Sequence, residues 1–171
     1  MTQYIDMTKT EGCIGLIPEN GETIVFTGVS INSMPLSVKS KEGELYADFA
    51  RKYGIHFIFD DEIPEIDFYS VPRLDIAATD DAGGFIASVG EPFSLSGFAR
   101  LVYISPDRHT YLITDNSSEF LSIVSDWKTR LSPFDGIRLY TSKEKAKEDY
   151  DIIDFEKTKA YELLHKINAD R

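Results

Sequence analysis

Within the stretch "DIAATDDAGGFIASVG", residues 75 to 90, two adjacent carboxylates, Asp80 and Asp81, precede Gly83 and Gly84 between two apolar runs. Paired carboxylates beside a flexible turn suit a metal site, an acid/base pair or a hairpin, and glycines can bring backbone amides to a phosphate. The phosphate reading fails on the residues themselves. No Lys-Ser/Thr follows the glycines, they do not form GxGxxG at the start of a helix, and the two carboxylates would repel an anion. A calcium loop of EF-hand type needs oxygen ligands at its positions 1, 3, 5 and 12, which "DDAGGFIASVGE" does not supply, although a weak hard-cation site on the pair stays open. For glycoside hydrolysis the carboxylates must face each other across a sugar, whereas neighbours on a strand point to opposite faces. The reading best supported is a hairpin turn in which Asp tolerates and Gly supplies left-handed backbone.

No second constellation takes over the chemistry. The three histidines, His56, His109 and His165, are far apart and show neither elbow nor triad spacing, so no nucleophile is activated. Neither HExxH nor CxxC occurs, so zinc is not expected. Cys13 stands alone without an activating neighbour and reads as a plain thiol that behaves as a small hydrophobe. These residues assign no catalytic side chain, metal or cofactor.

The elements that would hold Asp80 and Asp81 follow from periodicity. In "RLDIAAT" Leu74, Ile76 and Ala78 alternate with Arg73, Asp75 and Thr79, the pattern of a half-buried strand, and "GFIASVG" continues with Phe85, Ala87 and Val89. "RLVYIS" and "TYLIT", joined by Pro106-Asp107-Arg108-His109, read as a hairpin, which makes at least four consecutive strands. An earlier hairpin is expected from "CIGLI" and "ETIVFTG" around Pro18-Glu19-Asn20-Gly21. "INSMPLSVKSKEGE" reads as polar and turn-rich. Leu45, Phe49 and Tyr53 then recur every four residues until Gly54, which predicts a short amphipathic helix. "IHFIF" is a strand that ends at "DDEIPEID", where Pro64 opposes regular pairing. Asn116 with Glu119 three residues later matches a capping box. Phe120, Val124 and Trp127 follow at helical spacing, so this helix should cover one face of the sheet. The charged run from Lys143 to Tyr150 and a segment with Leu164 and Ile167 suggest two more helices, the first too polar to bury much.

Chain length and charge set the outer limits. With 171 residues and 42% hydrophobic side chains the chain should form one folded α+β domain. No apolar run reaches the roughly 18 residues of a membrane span and the N-terminus lacks a signal-peptide pattern, so a cytoplasmic protein is expected. The formal charge is −11. Residues 60–91 hold Asp60, Asp61, Glu62, Glu65, Asp67, Asp75, Asp80, Asp81 and Glu91 against Arg73 alone, a net of −8. Such a concentration disfavours nucleic acid and anionic membrane as partners and favours a basic protein surface or a cation.

The order "DIAATDDAGGFIASVG" followed by "RLVYISPDRHTYLITDNSSEFLSIV" resembles the central part of the SUKH superfamily over roughly residues 66–127. The shared features are an apolar strand entering an acidic turn, a glycine-containing strand, a short hairpin and a helix with Ser-x-Glu-Phe-Leu near its start. The resemblance implies an α+β fold with helices packed on a mostly antiparallel sheet of about four to six strands. Many bacterial members are immunity proteins that bind and neutralise a cognate toxin, often a nuclease, without chemistry of their own. On that basis a SUKH-like core is placed at about residues 43–140, with an N-terminal hairpin-containing extension over 1–42 and a C-terminal helical segment over 141–171.

The expected function is therefore protein binding through an acidic surface, with Asp60, Asp61, Glu62, Glu65, Asp67, Asp80, Asp81 and Glu91 steering a basic partner such as a toxin domain. Tyr69, Phe68 and Phe93 would add apolar anchors where they are exposed. The alternatives are an adaptor unrelated to toxins and an enzyme using an acidic metal site.

Overall fold

In the computed structural model, which describes residues 1–8 and 21–170, the strands are β1 (Thr2–Asp6), β2 (Thr23–Thr27), β3 (Val29–Ile31), β4 (Ile55–Phe57), β5 (Tyr69–Val71), β6 (Leu74–Asp80), β7 (Phe85–Val89), β8 (Leu101–Ile104), β9 (Thr110–Thr114), β10 (Ser132–Pro133), β11 (Arg138–Tyr140) and β12 (Ile152–Asp154). The helices are α1 (Leu36–Tyr53), α2 (Phe120–Ile123), α3 (Lys143–Ala146) and α4 (Lys159–Ala169). The class is α+β. A seven-stranded sheet runs β10-β9-β8-β7-β6-β3, with β4 also on β6. All of its pairings are antiparallel except β3 with β6, so the sheet is mixed.

The centre of this sheet is β6, and its sequence explains its unusual neighbours. Ile76 pairs with Ala87 and Ala78 with Ile86, so Ala77 is a bulge. A bulge of one residue reverses which face the following side chains occupy. Leu74 and Ile76 therefore enter one core with Phe85, Val102 and Ile104, while Ala78 joins the other with Ile86, Tyr103, Phe120 and Trp127. The expectation of a half-buried strand with Ile76 and Ala78 on one face is corrected accordingly, since β6 is buried on both sides. The bulge also divides the outer edge of β6. β3 pairs in parallel with Leu74–Ile76, and β4 pairs antiparallel with Ala78–Asp80.

The covering helices follow from sequence with two revisions. Phe120, Val124 and Trp127 are buried as expected, and Asn116 accepts from the Ser118 amide. The helical segment is interrupted, however, with 3-10 turns before and after α2 and a non-helical Asp126. α1 begins at Leu36, nine residues before the expected start at Leu45, because Pro35 presets the extended entry and Lys39, Lys41, Glu42 and Glu44 are straight-chain helix formers. It ends where expected, at Gly54, whose φ of +68° lets its amide reach the Ala50 carbonyl.

A second sheet joins the two ends of the described chain. β1 lies between β2 and β12, and both pairings are parallel. β2, expected in a hairpin, thus has β1 as its partner, while "CIGLI" and Cys13 lie outside the described residues. β5 and β11 form a short antiparallel pair. Among the described residues no helix is long and apolar enough to cross a membrane.

Candidate functional site

The acidic segment is built as an exposed strip with its apolar residues turned inward. The Asp60 amide donates to the Met34 carbonyl and the Glu62 amide to the Phe59 carbonyl, which ends strand pairing in a turn before Pro64. Ile58, Phe59 and Phe68 are buried and Ile66 packs against the same core, so they hold the strip from beneath. Asp60, Asp61, Glu62, Glu65 and Asp67 face outward. Ile63 lies among them with 49% of its surface exposed. An exposed apolar side chain flanked along the chain by exposed carboxylates has the composition of an interface anchor with a polar rim. Sequence reading missed Ile63, although its place between Glu62 and Pro64 in a segment with inward-facing isoleucines on either side was a usable signal.

Basic residues pin the strip at both ends. Lys39 bridges to Asp61 at 2.8 Å, and the Arg108 Nη2 lies 2.7 Å from Asp67. The Arg108 guanidinium also stacks over Phe68 and Phe85, at 5.0 and 5.4 Å from the ring centroids. Asp60 accepts from the Ser33 hydroxyl at 2.5 Å. Glu62 and Glu65 have no ion-pair partner among the described residues, so their charges are the least compensated of the strip.

Other residues of the expected surface lie elsewhere. Asp80 is buried, its side chain fully shielded. It accepts from the Gly84 amide at 2.6 Å and the Tyr103 hydroxyl at 2.9 Å, and lies 2.8 Å from the Lys128 ammonium. Burial pushes its carboxyl upward, but Lys128, the Gly84 amide and the Tyr103 hydroxyl together outweigh that and hold it below the ordinary carboxylate value. A carboxylate so enclosed cannot steer a partner, which corrects its place in the acidic surface. Asp75 is also buried, accepting from Ser30, Asn32 and the Phe93 amide. Tyr69 is buried with its hydroxyl 2.7 Å from that of Thr27, and Phe68 is likewise inside, so neither is an exposed anchor. Burial also raises the Tyr69 phenol above its ordinary value. Phe93 is half-buried.

Asp81 and Glu91 are exposed but sit at opposite ends of the β6–β7 hairpin, separated by about 20 Å of strand. Asp81 bonds to His56 Nε2 at 2.6 Å. The Asp80–Gly84 connection is a hairpin turn as expected, closed by the Gly83 amide to the Asp80 carbonyl. Only Gly83 takes a left-handed torsion, at φ +88°, so neither aspartate needs the tolerance attributed to it.

A second charged centre lies where the parallel strands end. Asp6, Asp154 and Thr27 are register partners at the carboxyl ends of β1, β12 and β2. Lys143 bonds to both Asp6, at 2.6 Å, and Asp154, while Asp6 also accepts from the Thr8 amide. Burial pushes the Asp6 carboxyl up, yet Lys143 and the amide keep it below its ordinary value. Asp154, more exposed, is lowered chiefly by Lys143. This cluster joins residues nearly 150 positions apart, so no local spacing signals it. Among the described residues no group of three or more His, Cys, Asp or Glu side chains is arranged to hold a metal ion.

No protein-family model, curated protein or solved structure matches the chain.

Proposed function

We propose that the chain is a non-catalytic protein-binding domain of SUKH type, acting in the cytoplasm as an immunity protein that neutralises a cognate toxin with a basic surface. The observation that carries this reading is the strip of five outward-facing carboxylates that flank the exposed Ile63 along the chain. Like charges gathered on one side of a loop raise the association rate of an oppositely charged partner, and a central apolar residue slows its departure. The strip comprises Asp60, Asp61, Glu62, Glu65 and Asp67. Asp81 and Glu91 contribute only to the wider field. Where the partner is a nuclease, occupying its basic nucleic-acid cleft inhibits it without any reaction by this chain.

The test is co-purification with the product of the gene immediately upstream, at low and at high salt, and a large secreted product ending in a small basic domain is what the reading expects there. Capture at low salt that weakens as salt rises, together with loss of the toxin's activity, supports the reading. Absence of binding, or binding indifferent to salt, overturns it.

A further inference from the structure

α1 is eighteen residues long and buries none of them fully: Phe49 and Tyr53 pack against the core of the sheet, while Leu45 is 64% exposed. A cavity of about 440 Å³ lies between α1 and the sheet, walled by Leu45, Phe49, Phe57, Phe93, Leu95 and Leu121. Its lining also includes Ala77, the bulge residue of β6, whose single methyl group leaves room above the sheet. Every lining residue except Ala77 keeps some solvent exposure, so the space is a cleft open to solvent and not a sealed void. Its volume falls in the range of sites that enclose small molecules.

The lining specifies the ligand's chemistry. Asn32 is the polar residue on the wall that is not shared with the outer cleft. Its amide orientation is set by Asp75, because a carboxylate can only accept and Asn32 Nδ2 donates to Asp75 Oδ2 at 3.1 Å. The Asn32 carbonyl oxygen is then the unspent group, with no donor bonded to it among the described residues. Tyr46 is the other polar lining residue, and it also borders a more open cleft with Lys39, Glu42 and Glu62.

We infer that this cavity is a binding site for a small, largely apolar molecule bearing a hydrogen-bond donor, such as an alkylphenol or a medium-chain alcohol, with the donor directed to Asn32. The lining favours a small molecule, being apolar apart from Asn32 and Tyr46 and of a size that encloses one. The site is independent of the acidic strip and of the binding reading attached to it.

The probe pair is 4-propylphenol and 4-propylanisole, which share the apolar body and differ in the donor. Isothermal titration calorimetry on the full chain should show the phenol binding with Kd of about 1 mM or tighter, and roughly tenfold more tightly than the ether. Asn32→Ala should remove that preference. Leu121→Trp, at a lip residue with 59% of its surface exposed, should abolish binding of both while leaving the melting temperature unchanged. If Asn32→Ala fails to fold, the probe pair and Leu121→Trp still decide. Binding of neither probe, equal binding of both, or binding untouched by Leu121→Trp overturns the inference. Loss of a protein partner in Leu121→Trp, with no phenol bound to the parent chain, assigns the space to a macromolecule and overturns it too.

Discussion

A side-chain carbon added at Gly84 would begin 2.4 Å from the hydroxyl oxygen of Tyr103. Tyr103 is buried and donates to Asp80 from that position, and its ring packs edge-on against Trp127. Gly84→Ala must therefore displace an aromatic ring and leave a buried carboxylate short of a donor. The expected loss is about 2–4 kcal/mol of stability in urea unfolding. Gly83→Ala is the matched control, because Gly83 has open space around it and only a left-handed torsion, so about 1 kcal/mol is expected. Equal losses at the two glycines would contradict the tight Gly84–Tyr103 approach.

Lys128→Met should cost about 1–2 kcal/mol. This is less than for a fully enclosed pair, because Lys128 is 48% exposed and water screens it, while Asp80 is shielded. The acid response gives the sharper reading. The Asp80 carboxyl is lowered in the folded state, so its contribution is complete above the ordinary value of 3.8 and is lost as pH falls through the lower folded value. Removing Lys128 takes away the main lowering group, and acid unfolding should begin at higher pH than in the parent. An unchanged acid midpoint would count against the pair.

Lys143→Met should loosen the parallel sheet selectively. Lys143 is held between Asp6 and Asp154, and removing it leaves Asp6 buried without its counter-charge, for an expected loss of about 2–4 kcal/mol. Hydrogen exchange should accelerate at the amides of β1 and β12 before those of β6–β9 respond. Asp6 and Asp154 are both lowered, so this contribution also holds above 3.8 and fades as pH falls below it. Uniform acceleration across both sheets would show that the cluster is not local to the termini.

Glu62→Gln with Glu65→Gln should leave the melting temperature unchanged, since both side chains are exposed and unpaired among the described residues. On the proposed function, association with a cognate basic domain should slow severalfold at low salt, with the difference vanishing at high salt. Ile63→Ala should act instead on dissociation, accelerating it about tenfold. Stopped-flow binding at two salt concentrations separates the two effects, and a faster dissociation in the glutamine variant would contradict the division.

The local elements were readable wherever short-range pattern alone decides them. The meander from β6 to β9 and the inward set Phe120, Val124 and Trp127 follow from spacing and turn residues. The bulge at Ala77 was not readable, because a run of small apolar residues looks the same whether or not one is unpaired, and the faces of Ile76 and Ala78 depend on it. Asp80 carried the same ambiguity, since a carboxylate in a turn reads as exposed until Lys128 and Tyr103 are known to converge on it. The union of β1 with β12 depends on a contact between distant segments that composition does not encode.

The divided edge of β6 also bears on how copies of the chain behave in a crowded solution. The outer strands of the seven-stranded sheet are β3 and β4, three residues each, on one side and β10, two residues ending in Pro133, on the other. β3 and β4 run in opposite directions along β6, so their free backbone groups form no continuous ladder for an incoming strand to extend. A bulge that serves the interior by sending Ile76 and Ala78 to separate cores thus also protects the exterior against amyloid-like recruitment.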